Sequence, residues 1–183
     1  MLNVYEHCPV YETESFLFRL VKLEDAEALL KCYSDKETVS RLNTDYCTSN
    51  FFYTTKEEIE RCIKFWLDEY EKQYYVRFAV IPKLENHAVG TIEIFGGEAG
   101  VLRIDLEKEY DIKKYIVEII NLTISTFSED FGIGSIKIKT ANTLERIEWL
   151  ENIGFVLSKS FRPELGYHEY NKKPIDDKVG EDI

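Results

Sequence analysis

The chain has 183 residues, 44% of them hydrophobic and 31% charged, with a net charge of −11. This describes one globular domain, 1–183, with residues 15–172 as its body and 173–183 as a polar tail. The acidic balance excludes a nucleic-acid footprint, which needs a basic stripe, and no apolar run suits a membrane span or an export signal.

Cys8, Cys32, Cys47 and Cys62 show no C-x-x-C spacing, so reduced thiols in a cytoplasmic protein are expected. His7, His87 and His168 are too scattered for a metal cluster, and no metal is expected. The 12 Tyr and 11 Phe predict a bulky core rather than a base-stacking surface. Residues 1–15 read as a polar arm. Residues 16–21 (FLFRLV) read as a first strand, and Ala26, Leu29, Leu30 and Tyr33 place an apolar stripe on a first helix. The stretch 34–54 mixes turn chemistry with Tyr46, Phe51, Phe52 and Tyr53. It reads equally as a loop over a pocket or as a packed connector.

Thr55 and Glu58 form a capping box that opens a second helix, lined by Ile59, Ile63, Trp66, Leu67 and Tyr70. A meander follows, with strands at 75–82, 88–95 and 101–106 and turns at 84–86 and 96–98. From Ile112 to Phe127 apolar residues recur at helical steps over roughly four to five turns. Asp111 is the expected N-cap of this helix, and Gly132 or Gly134 its exit. Residues 135–141 alternate again. This βαβ unit predicts that strands 101–106 and 135–141 run parallel. Asn142 with Glu145 predicts another N-terminal box, on a helix that turns Leu144, Ile147 and Leu150 inward and closes at Gly154. Strands at 155–161 and 167–172 end the body. The order predicts an α+β domain: one mixed, mostly antiparallel sheet with helices on both faces.

Four stretches, in this order, carry a family resemblance: FLFRLVKLEDAEALLKCYSD, AVGTIEIFG with Gly90, GVLRIDLEKEYDIKKYIVEI, and SIKIKTANTLERIEWLENIGF. Together they resemble the GNAT N-acetyltransferase superfamily, in the branch similar to ribosomal-protein N-acetyltransferases. The resemblance implies acetyl-CoA as co-substrate, lying where the fourth and fifth family strands splay apart. It implies that the backbone of Ile104 and Leu106 carries the pantetheine arm. A Q/R-x-x-G-x-G/A loop would present amides to the pyrophosphate at a helix start, where small residues and the helix dipole favour the charge. The corresponding residues here are Lys113, Lys114, Tyr115 and Ile116, with Asn142 matching the family Asn after the next strand.

The sequence departs from that loop. Asp111 stands where Gln or Arg is expected, Lys114 and Ile116 at the two small positions, and no glycine lies between Gly100 and Gly132. Val101 takes the place of the Glu that often serves as base. Glu93 and Asp105 are then the candidate bases and Tyr167 the candidate acid. Three readings stay open, the last of them an enzyme that takes a different acyl donor or small ligand in the same cleft. The first is an N-acetyltransferase acting on an amine, on a small molecule or at a protein N-terminus, by direct attack. The second is a non-catalytic binding or assembly module that has lost the pyrophosphate loop. Monomer and homodimer are both left open.

Overall fold

The computed structural model describes residues 3–45, 47–95, 100–139 and 144–172. Strands β1 (Tyr11–Glu12) and β2 (Phe16–Leu20) lead to helices α1 (Ala26–Ser34), α2 (Lys36–Ser40) and α3 (Lys56–Glu71). The meander β3 (Tyr75–Pro82), β4 (Gly90–Phe95) and β5 (Val101–Leu106) follows. Helix α4 (Lys113–Leu122) runs on through a π-helical turn, Thr123–Phe127, into α5 (Ser128–Asp130). Then come β6 (Ser135–Lys139), α6 (Leu144–Ile153), β7 (Val156–Leu157) and β8 (Tyr167–Asn171).

The eight strands form one sheet in the order β1-β2-β3-β4-β5-β6-β8-β7. β5 and β6 are parallel, as the βαβ reading requires, and the other pairings are antiparallel. The period of two in each strand divides the core. Phe16, Phe18, Phe78, Ile92 and Leu102 turn to the face covered by α4 and α6. Tyr75, Ala79 and Ile81 turn to the face covered by α1 and α3, against Leu29, Tyr33, Ile63 and Trp66. Every residue of β3 is buried, because this central strand is covered on both faces. The capping box at Thr55 and Glu58 forms as read.

Several expectations need correction. The arm is not only polar: Tyr11 is buried, pairs with Phe18, and donates to Asp130 at 2.7 Å. A two-residue strand shows no period, so the sequence could not reveal it. Likewise α2 is a five-residue turn capped by Asp35, inside a stretch read as loop or connector. Asp111 is not the N-cap of α4. Ile112 holds that position with no side-chain cap, and the Asp111 carboxylate is drawn to two arginines instead. Leu144 is 85% exposed rather than inward, since the apolar face of α6 begins only deeper in the helix, with Leu150 buried. The strand expected over 155–161 is only two residues long, with exposed side chains. The turn at 96–98, residues 140–141, the box at Asn142 and the tail lie outside the described residues.

Gly100 fixes where β5 approaches β6. Its φ is +51°, and a Cβ there would lie 1.9 Å from the Ser135 carbonyl oxygen. Gly100→Ala is expected to lower the unfolding free energy by about 3 kcal/mol, read as a shift in urea midpoint at unchanged slope. An unchanged midpoint would remove this account of the joint.

Candidate active site

β5 and β6 pair only at their beginnings, Val101 with Lys137 and Leu102 with Ile138. Beyond Leu102 no pairing joins them among the described residues. The Glu107 amide donates to the Val89 carbonyl at 2.9 Å, toward the β4 side. By the period of two, Ile104 and Leu106 therefore turn their N–H and C=O groups to the opposite edge, facing β6. Such an edge offers main-chain hydrogen bonds to an extended ligand. Ile104 is also the one residue of β5 that is not fully buried. Leu102, Ile104, Ile116, Ile138 and Leu150 line a narrow apolar recess there, about 20 Å³, enough for a water molecule. Arg41, Asn43, Lys139 and Arg146 form its polar rim.

α4 starts beside this recess. The amides of Tyr115 and Ile116 bond to the Ile112 carbonyl, which leaves those of Lys113 and Lys114 outside the helical ladder. Tyr110 and Tyr115 pack with Phe16, their centroids 6.2 and 5.0 Å from it. That packing holds the 107–112 turn against the sheet.

On the sheet's other face runs a buried polar row, set by strand register: Arg77 lies opposite Glu93, and Glu93 opposite Arg103. Arg77 Nε donates to Glu93 Oε2 at 2.9 Å and Arg103 Nη1 to Glu93 Oε1 at 2.8 Å. Arg77 Nη1 also reaches Asp105 Oδ2 at 3.1 Å and Thr91 Oγ1 at 3.0 Å. The Tyr33 hydroxyl donates to Asp105 at 3.0 Å. Burial raises the Asp105 carboxyl above its ordinary value, and the Arg77 charge opposes the rise. The Arg77 guanidinium also stacks 4.3 Å from the Trp66 ring centroid.

Over this row opens a pocket of about 570 Å³, walled by Phe51, Tyr53, Phe65, Trp66, Tyr74 and Tyr75. Phe51 has a φ of +57°, an unusual conformation for a bulky residue. It places the ring 5.6 Å from the Arg77 guanidinium. Strain of this kind collects at functional sites. Arg103 lines both this pocket and the recess between β5 and β6.

Arg103 also donates to the Asp45 carbonyl. The Asp45 carboxylate accepts from Lys139 Nζ at 2.8 Å and from the Tyr167 hydroxyl at 3.1 Å, while Asn43 Nδ2 donates to that hydroxyl at 3.1 Å. Burial pushes the Tyr167 phenol above its ordinary value, and the Asp45 charge adds to the rise.

The structure thus brings Glu93 to the pocket floor and Tyr167 beside the recess rim. It buries Asp105 in the Arg77–Tyr33 network, away from both recesses. Of the residues carried over for cofactor binding, Ile104 and Ile116 line the recess. Leu106 is buried further along the same strand. Lys113 is exposed at the helix start, Lys114 lies 5.4 Å over the Tyr115 ring, and Tyr115 packs in the core. Asn142 lies outside the described residues. Arg41, Arg146, Asp45 and Arg103 were missed. For Arg103 a signal existed, because a charge at an inward strand position needs a buried partner.

A mixed sheet that parts along its parallel joint, with a recess on each face and one side chain reaching both, is the architecture of an acyl-CoA N-acyltransferase. Residues 15–167 match the family described as acetyltransferase (GNAT) domain, so the chain belongs to that family and its chemistry is acetyl transfer. Solved structures share the fold. Ribosomal-protein-S5-alanine acetyltransferase from Vibrio fischeri is 18% identical, with TM-score 0.68, covering 94% of this chain and 100% of that one. The ribosomal L7/L12 α-N-protein acetyltransferase RimL, in complex with coenzyme A, is 10% identical with TM-score 0.69, covering 89% and 98%. Spermidine N-acetyltransferase from Vibrio cholerae, in complex with CoA and spermine, is 14% identical with TM-score 0.62, covering 80% and 83%. No curated protein matches the chain. Nothing in the fold or in these comparisons favours the non-catalytic reading.

Proposed function

We propose that the protein moves an acetyl group from acetyl-CoA, held in the seam between β5 and β6, to an α-amino group of a peptide or protein seated in the aromatic pocket. The observation that carries this reading is Arg103, which lines both recesses and so marks where donor and acceptor meet.

The pocket's charges support the acceptor class. Glu58, Glu69 and Glu93 are balanced by Arg61, Arg77 and Arg103, so the lining is not the acidic one a polycation would need. Both Glu93 oxygens are already engaged by guanidinium groups. Such a floor favours an amine that arrives neutral. An α-amino group, ordinarily titrating at about 7.7–8.0, is neutral far more often than an alkyl ammonium at about 10.4. The aromatic walls suit apolar side chains next to it. The ribosomal-protein acetyltransferases of the same fold act on acceptors of this kind.

In the reaction the neutral amine attacks the thioester carbonyl. An N–C bond forms, the C–S bond breaks, and the backbone edge at Ile104 stabilises the oxyanion. The Tyr167 hydroxyl protonates the departing thiolate. The proton released from nitrogen passes to solvent, and a proton from solvent restores the phenol. Product amide and free thiol balance the atoms.

The test is a mass-spectrometric transfer assay that compares peptides with apolar first residues against spermidine and free lysine. Acetylation confined to peptide α-amines is expected, with a rate that rises as pH approaches 8. Transfer to spermidine alone would overturn the acceptor class.

A further inference from the structure

The departure at Asp111 has a structural counterpart. Its carboxylate, 7% exposed, bridges two arginines from distant elements: Oδ1 meets Arg146 Nη2 on α6, and Oδ2 lies 3.2 Å from Arg41 Nε, just past α2. Both arginines line the recess between β5 and β6, with Ile116 of the first turn of α4 beside them. Arg41 is otherwise turned to Glu37 and Thr38, at 3.2 and 3.5 Å. Its Nε is buried with no hydrogen bond of good geometry, although it sits in the Asp111 ion pair. The turn that carries Asp111 is closed by bonds from the Tyr110 and Asp111 amides to the Glu107 carbonyl. It offers no glycine nest. Positive charge at this corner therefore comes from side chains.

We propose that Arg41 and Arg146 form the binding site for the diphosphate of the donor, and that Asp111 competes with the donor for both guanidinium groups. The proposal rests on the acetyl-CoA reading given above. Two planar forks on opposite sides of one carboxylate are spaced for an anion shared between them. A diphosphate has more charge and more acceptor oxygens than a carboxylate, so it outcompetes Asp111 for bidentate pairs. The small volume of the recess fits this arrangement. The arginines are drawn in over Ile116, and a donor that recruits them outward also widens the entrance. Side-chain recognition takes over what a glycine loop does with amides, so Lys114 and Ile116 can occupy positions where small residues would otherwise be needed.

The test is calorimetric titration of coenzyme A, and of dephospho-coenzyme A lacking the 3′-phosphate, into wild-type protein and three variants. Asp111→Asn removes the competitor and a repulsive charge, and is expected to tighten both ligands about tenfold. Arg146→Gln and Arg41→Gln are each expected to weaken both by about tenfold or more. Two arginines on separate elements guard against a single misfolded variant, and thermal melts accompany each titration. If no form binds coenzyme A, the donor reading itself has failed and this proposal with it. If the wild type binds and the variants match it, only the proposal is overturned. An arginine variant that loses affinity for coenzyme A but not for dephospho-coenzyme A assigns the site to the 3′-phosphate and overturns the diphosphate assignment. Weaker binding by Asp111→Asn would make that residue a positioning group rather than a competitor.

Discussion

Replacing Arg77 by alanine is expected to cost about 3–5 kcal/mol of stability. The guanidinium is 1% exposed and bonded to Glu93, Asp105 and Thr91 while stacked on Trp66. Removing it strands two carboxylates in the sheet's interior and leaves a gap under the indole. The wild-type Asp105 carboxyl is already raised by burial, with Arg77 as the largest influence holding it down. Without Arg77 the folded carboxyl binds its proton more tightly still. A group raised in the folded state contributes stability below its unfolded value and loses it as pH climbs through the folded one. The deficit of Arg77→Ala should therefore shrink on acidification, from urea melts at about pH 7.5 to melts at about pH 5. A deficit that grows instead would show that Asp105 is not the group left uncompensated. Arg77→Met with Asp105→Asn should recover much of the loss, because Glu93 then stays paired with Arg103 and no unpaired charge is left buried.

What the sequence revealed follows from range. The Thr55–Glu58 box lies within one turn of chain, and its hydrogen bonds depend on nothing distant. The parallel pairing of β5 and β6 was legible because a strand, a long amphipathic helix and a second strand admit one handedness of crossover. The polar row was half legible. Arg77 interrupts the apolar run YVRFAVIP of a strand long enough to be central, and a charge there demands partners. Naming Glu93 as the partner needs the register of β3 on β4, which depends on the connection 83–89, and seven residues of mixed chemistry do not fix a register by themselves. Asp111 was legible only as a misfit. Its meaning lies in Arg41 and Arg146, which come from α1–α2 chemistry and from a later helix, and no local pattern joins them. Asp45 carried no signal at all. It is one acid in a polar loop until β8 brings Tyr167 against it.

Tyr167→Phe is expected to lower kcat by about 100-fold while leaving KM for both substrates within about twofold. The phenol is fully buried, and its hydroxyl is fixed from two sides by Asn43 and Asp45, so its position does not depend on substrate. Asn43 and the cross-strand partner Lys139 both line the donor recess, which puts the hydroxyl directly behind the wall where a thiolate would form. Burial and the Asp45 charge keep the proton on oxygen through the neutral range, the state a proton donor needs. Loss of the hydroxyl leaves Asp45 still paired with Lys139, so the expected stability cost is only about 1 kcal/mol. A purely structural tyrosine would show the reverse pattern, with a lower melting temperature, altered KM and little change in kcat. Leaving-group chemistry separates the two roles further. With an aryl acetate, whose phenolate departs without needing a proton, Tyr167→Phe should transfer acetyl as fast as the wild type. An equal loss on acetyl-CoA and on the aryl ester would assign Tyr167 to holding the 43–45 loop in place rather than to protonating the thiolate.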